Sequence, residues 1–110
     1  LDGDGNESTG WVIMYLHVET RDRVQTGAYL NTNDLIGHPS CEGGQADGTH
    51  LHVARKFNGE WMLAGGPVPF TLSGYVAANG QEPYEGSLYN GSVLVIASPL
   101  SASKSMITRP

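Results

Sequence analysis

Turn formers set the limits on what this chain can fold into. Glycine and proline hold 21 of the 110 positions, and their spacing leaves room for short strands but for no helix longer than two turns. The sharpest single signal is Asn58-Gly59. This pair favours the backbone twist of a two-residue hairpin turn, and it lies between two runs that read as strands, residues 49–57 and 60–64. Upstream, residues 11–18 (Trp-Val-Ile-Met-Tyr-Leu-His-Val) form a β-rich run. It follows a dense turn cluster over residues 2–10. Residues 24–30, with Gly27 inside, read as a short strand with a turn or bulge, and Leu35-Ile36-Gly37 as a further apolar step. Residues 67–75 and 93–97 supply two more strands. Residues 38–48, with Pro39, Gly43, Gly44 and Gly48, form a loop. The expected architecture is all-β, a sandwich or an irregular barrel. Residues 1–97 make one domain, and 98–110 a Ser-rich tail expected to be poorly ordered.

Composition narrows the function classes. A net charge of −5, from 6 basic and 11 acidic residues, has the wrong sign for gripping a phosphate backbone, so nucleic acid is not an expected partner. No apolar run approaches the ~20 residues of a membrane span. A single cysteine, Cys41, allows no internal disulfide and has no evident base beside it to make it a nucleophile. The chain starts at Leu1 without an initiator Met, a basic n-region or an apolar h-region. That reads as a mature or trimmed product, or a piece of something longer.

The chemistry-bearing feature is a set of histidines. His50 and His52 are two residues apart in an expected strand, so both imidazoles point to one face. That is one edge of a zinc site, or a pair divided between metal binding and proton handling; an ordinary pair of hydrogen-bonded strand histidines has the same spacing. His17, at the end of the 11–18 run, adds a third imidazole from a second strand. His38, Cys41, Asp34 and Asp47 are the further donors that could join His52, although their spacing matches no ligand motif.

Several weaker patterns stand beside it. Asp2-Gly-Asp4-Gly-Asn6 alternates oxygens as a calcium loop does, but Glu7 and Ile13 stand where such a loop needs Gly and Glu, which leaves a polar hairpin. Asn6-Glu-Ser8 and Asn90-Gly-Ser92 match the glycosylation triplet. Trp61, Phe70, Tyr75, Tyr84 and Tyr89 could stack on sugars, or serve as core and groove wall.

The order Gly10-Trp-Val-Ile-Met-Tyr15-Leu-His17-Val, then Val24 and Gly27, then Leu35-Ile36-Gly37, then Gly48-Thr49-His50-Leu51-His52-Val53 resembles the C-terminal half of the lysostaphin-type zinc endopeptidases, the family of the LasA and LytM enzymes. Those enzymes carry a Tyr-x-His-Leu strand, a Val-x-x-Gly-x-x-Ile-Gly connection and a Gly-x-His-Leu-His-Phe strand. The resemblance implies an antiparallel β-sheet core with long loops forming a groove, that His52 is a zinc (Zn2+) ligand and that His17 and His50 assist the attacking water and the oxyanion. Tyr15 would lie on the strand face of His17, and Gly48 and Thr49 would border the substrate groove. It further implies a substrate among bacterial cell-wall (peptidoglycan) or other glycine-rich peptides, and a location outside the cell or in the cell envelope.

The family's other two zinc ligands, a His and an Asp, lie upstream of the Tyr-x-His strand, and no histidine precedes Trp11 here. Three readings stand open: an upstream segment supplies them, a partner chain supplies them, or the chain is a degenerate relative. The leading expectation is a zinc metallopeptidase hydrolysing cell-wall cross-links. The alternatives are a catalytically inactive relative acting as a cell-envelope binding or assembly module, and a carbohydrate-binding β-sandwich using Trp61 or Tyr84.

Overall fold

The structure is a computed structural model that describes residues 1–100 and 102–107. It is all-β, with two antiparallel sheets and no closed barrel. The first sheet has the order β1-β2-β3: β1 (Trp11–Leu16), β2 (His52–Phe57) and β3 (Glu60–Met62). The second has the order β4-β5-β6-β7: β4 (Thr71–Leu72), β5 (Tyr75–Ala78), β6 (Ser87–Asn90) and β7 (Val93–Ile96). Among the described residues, no helix is long and apolar enough to cross a membrane.

Asn58 and Gly59 turn β2 into β3 with positive φ at both positions, 49° and 81°, the backbone that an Asn-Gly turn supplies at little cost. The same Asn58 fastens the entry to β1: its N–H donates to the Gly10 carbonyl at 3.0 Å, and its Oδ1 accepts from the Gly10 N–H at 2.9 Å. Trp11 pairs across the strands with Phe57, ring centroids 4.8 Å apart. Residues 2–10 form a chain of Asx turns, Asp2 to Asp4 to Asn6 to Ser8. Hydrogen bonds from the Thr9 hydroxyl and the Asn6 backbone hold the Asp4 carboxyl below its ordinary range.

Three expectations about strands need correction. Residues 24–30 and the step at 35–37 are not strands; they meet through the Val24 N–H on the Ile36 carbonyl, 3.0 Å, and Gly27, with φ of 87°, turns the chain away. The expected strand at 49–57 starts only at His52; His50 makes an isolated bridge to Ser40. The run at 67–75 divides into β4 and the start of β5 around Ser73 and Gly74, both at positive φ. Of residues 98–110, Pro99 and Leu100 meet Gly48, and Ser103–Ser105 forms one 3-10 turn beside β7. Residues 101 and 108–110 lie outside the described residues.

The apolar core is thin. Ala77 and Val95 are the buried hydrophobic residues, and Leu88 joins them into one row across the second sheet. The matching row of the first sheet is Ile13, Arg55 and Met62, so a guanidinium sits where the other sheet places an aliphatic side chain. The segment 63–70, between β3 and β4, leads from the first sheet to the second.

Candidate functional site

Strand β1 ends because His17 leaves the extended region. Its φ is 64°, the left-handed region that costs a non-glycine residue on the order of 1 kcal/mol and persists only where the surroundings enforce it. They do so here. The His17 carbonyl accepts the Ser40 N–H at 2.7 Å and the Ser40 hydroxyl at 3.0 Å, while Val18 bridges to Pro39. The 38–48 loop is thereby drawn over His17, which is only 5% exposed. Gly44, with φ of 129°, passes so close that a Cβ there would lie 3.6 Å from the His17 ring.

The backbone turn decides which imidazoles meet. Leu16 pairs with His52 and Tyr15 with Val53, and directly opposed residues share a face. Regular alternation would put His17 with Tyr15, on the face away from His52. The left-handed turn instead brings the His17 ring to 4.5 Å from His50 and 6.4 Å from His52, centroid to centroid. The three histidines are gathered. Tyr15 does not share their face, which corrects the expectation that a two-residue period would place it with His17.

Two of the rings have a defined orientation. His17 Nδ1 lies 2.8 Å from the Glu42 carbonyl oxygen and His50 Nδ1 lies 2.8 Å from the Gly48 carbonyl oxygen. A carbonyl oxygen only accepts, so each Nδ1 carries the hydrogen and each neutral ring keeps its lone pair on Nε2. Glu42 is itself anchored, its Oε2 accepting from the Thr20 N–H at 2.6 Å and hydroxyl at 2.8 Å. Gly48 has a positioning role through its carbonyl; Thr49 follows it in the bend leading to His50. Burial, then the nearby charges of His17 and His50, pushes the His52 pKa below the ordinary 6.5. His52 is therefore neutral over more of the pH range, the form in which an imidazole is a base or a ligand.

Sequence reasoning did not connect Tyr84 with this cluster. Its ring meets His52 edge-on, centroids 5.4 Å apart, although 82% of Tyr84 is exposed. Tyr84 comes from the turn before β6, at a φ of 67°. No local pattern links the two residues; the contact exists because the second sheet presents that turn to the end of β2.

The other suggested donors are elsewhere. His38 Nε2 lies 3.4 Å from Asp22, Asp34 accepts the Asn31 N–H at 2.7 Å, and Cys41 is an exposed free thiol. Among the described residues, no three of His, Cys, Asp and Glu are grouped to hold a metal ion. Zinc takes four ligands in a closed site and three protein ligands in an open one; His52 is the ligand that the resemblance implies here. Two hollows of about 530 and 300 Å³ lie along β6–β7 and beside β3, and neither borders a histidine. No family model, curated protein or solved structure matches this chain.

Proposed function

We propose that this chain supplies the histidine side of a lysostaphin-type peptide hydrolase acting on cell-wall or other glycine-rich peptides, outside the cell or in its envelope. The observation that carries this is the convergence of His17, His50 and His52, with Nε2 left free on two of them. In this reading His52 offers one ligand position for zinc, and the remaining ligands come from an upstream segment or a partner chain. His17 and His50 are fixed by backbone carbonyls, so each can accept a proton at Nε2 and, once protonated, donate from the same atom toward a developing oxyanion. Fixing the rings beforehand is what makes such donors effective, because no reorganisation is then needed during the reaction.

The test is zinc per chain, by elemental analysis of the full-length polypeptide purified without chelator or added metal. Near-stoichiometric zinc that is lost in His52→Ala, with cleavage of glycine-rich peptides lost in His17→Ala and His50→Ala, is the expected result. A folded protein with zinc far below one per chain would overturn the hydrolase reading in favour of an inactive binding module.

A further inference from the structure

Arg55 is the one buried residue of β2, 7% exposed, and among the described residues no carboxylate forms an ion pair with it. A buried guanidinium without a counter-ion is costly unless its hydrogens find acceptors. Its Nη2 donates to two backbone carbonyls, Leu63 at 2.7 Å and Val68 at close range. Its Cζ lies over two aromatic rings, 5.3 Å from the centroid of Trp11 and 5.1 Å from that of Phe70. Its Nε is enclosed without an acceptor, and the residue borders the hollow beside β3.

These contacts tie the first sheet to the segment that leads to the second. Trp11 belongs to β1, while Leu63, Val68 and Phe70 belong to the segment that leads from β3 into β4. That segment is bonded onward to the second sheet. The Phe70 N–H donates to the Ala64 carbonyl at 2.6 Å, closing the segment on itself, and the Phe70 carbonyl accepts the Ala77 N–H of β5 at 2.8 Å. The Gly65 N–H donates to Asn79 Oδ1 at 2.8 Å. A side chain at Gly65 would lie 2.8 Å from the Asn79 nitrogen, so the two backbones are in close approach there. Past Asn79 the chain enters the turn that carries Tyr84 to His52. The chain passes from the first sheet to the second through this segment, and the guanidinium ties it to β2 on one side while Phe70 and Gly65 tie it to β5 and Asn79 on the other.

We infer that Arg55 is a positioning residue: by clasping the 63–70 segment onto the first sheet it sets the placement of the second sheet and so holds Tyr84 against His52. The inference deepens the proposed function, on which it rests for the meaning of the histidine cluster, but its geometry is tested without metal or substrate. Lysine keeps the charge of arginine but lacks the planar fork that serves two acceptors while lying over two rings.

The experiment is nuclear Overhauser contact mapping in the full chain with labelled His and Tyr, comparing the native protein with Arg55→Lys. The expected result is loss of the Tyr84–His52 ring contact, at least five-fold in intensity, with the His17–His50 contact retained. That second contact is made within the first sheet and its loop. Phe70→Leu, which removes one of the two rings but leaves the guanidinium, is expected to weaken the same Tyr84–His52 contact selectively. It serves as the deciding variant where Arg55→Lys does not fold. Full Tyr84–His52 intensity in a folded Arg55→Lys or Phe70→Leu protein overturns the inference. A zinc-free native protein that shows the contact and loses it in Arg55→Lys overturns the hydrolase reading while sustaining the clasp.

Discussion

The two sheets share an antiparallel, sequential topology but fill the middle of it with different chemistry. Across the second sheet the central row is Ala77, Leu88 and Val95, which gains stability by leaving water. Across the first it is Ile13, Arg55 and Met62, where the buried residue is charged and is tolerated through two carbonyls and two rings. The apolar row is non-directional: a replacement of similar volume leaves it nearly as good. The arginine is directional and dictates where the 63–70 segment lies. The sheet with the weaker claim to a hydrophobic core thus has the stronger hold on geometry, and it is also the sheet that carries His52.

The largest effect that tests this difference comes from truncating each row in turn. Arg55→Ala leaves two backbone carbonyls without their charged donor and removes the cation from two aromatic rings, an expected loss of about 3 kcal/mol. Val95→Ala removes two methylene equivalents from the aliphatic row, an expected loss of about 2 kcal/mol. Denaturant melts of both variants measure the order. A larger loss at Val95 would mean that the apolar row, and not the clasp, holds the molecule together.

How much of this was legible beforehand follows the same division. Asn58-Gly59 declared its hairpin because the turn's positive φ angles suit those two residues. The β-rich runs of β1 and β2 were visible for the same local reason. Strand β6 was not, because Tyr84, Glu85 and Gly86 read as a turn continuing into it. The segment at 24–30 carried strand-forming residues but no partner to pair with, and β-propensity without cross-strand contacts makes no strand. The histidines were legible as a set from their order along the chain. Their convergence was not, since it requires a left-handed His17 that period-two reasoning excludes. Arg55 carried no signal at all: a charge in a short strand next to a hairpin is ordinarily solvent-facing, and the rings of Trp11 and Phe70 with the Leu63 and Val68 carbonyls, distant in sequence, make it interior.

A smaller effect separates the loop from the sheets. Gly48 supplies the carbonyl that orients His50, and a Cβ there would lie 3.1 Å from the Leu100 Cα and 3.4 Å from the Pro99 carbonyl oxygen. Gly48→Ala is expected to cost about 1 kcal/mol through this crowding, since either the loop or residues 99–100 must give way. The sharper reading is the His50 ring. Nitrogen-15 shifts of the imidazole should show the Nδ1–H tautomer in the native chain and a mixture in the variant. Unchanged tautomer populations would mean that the Gly48 carbonyl does not fix the ring.

The smallest expected effect is a pH dependence, and it bears on the histidine end of the first sheet alone. Burial and the charges of His17 and His50 hold His52 below its ordinary 6.5 in the folded protein. Above 6.5 the imidazole is neutral in folded and unfolded chains alike, so it adds no pH dependence there. As pH falls below 6.5 the unfolded chain takes up the proton first, stability drops, and the drop levels off only below the folded-state value. His52→Gln should flatten this limb in melts taken over that window. The second sheet contains no histidine, so Val95→Ala should lower the whole curve without changing its slope. A native slope that survives His52→Gln would mean that His52 is not its source and remove the reason for singling out that imidazole.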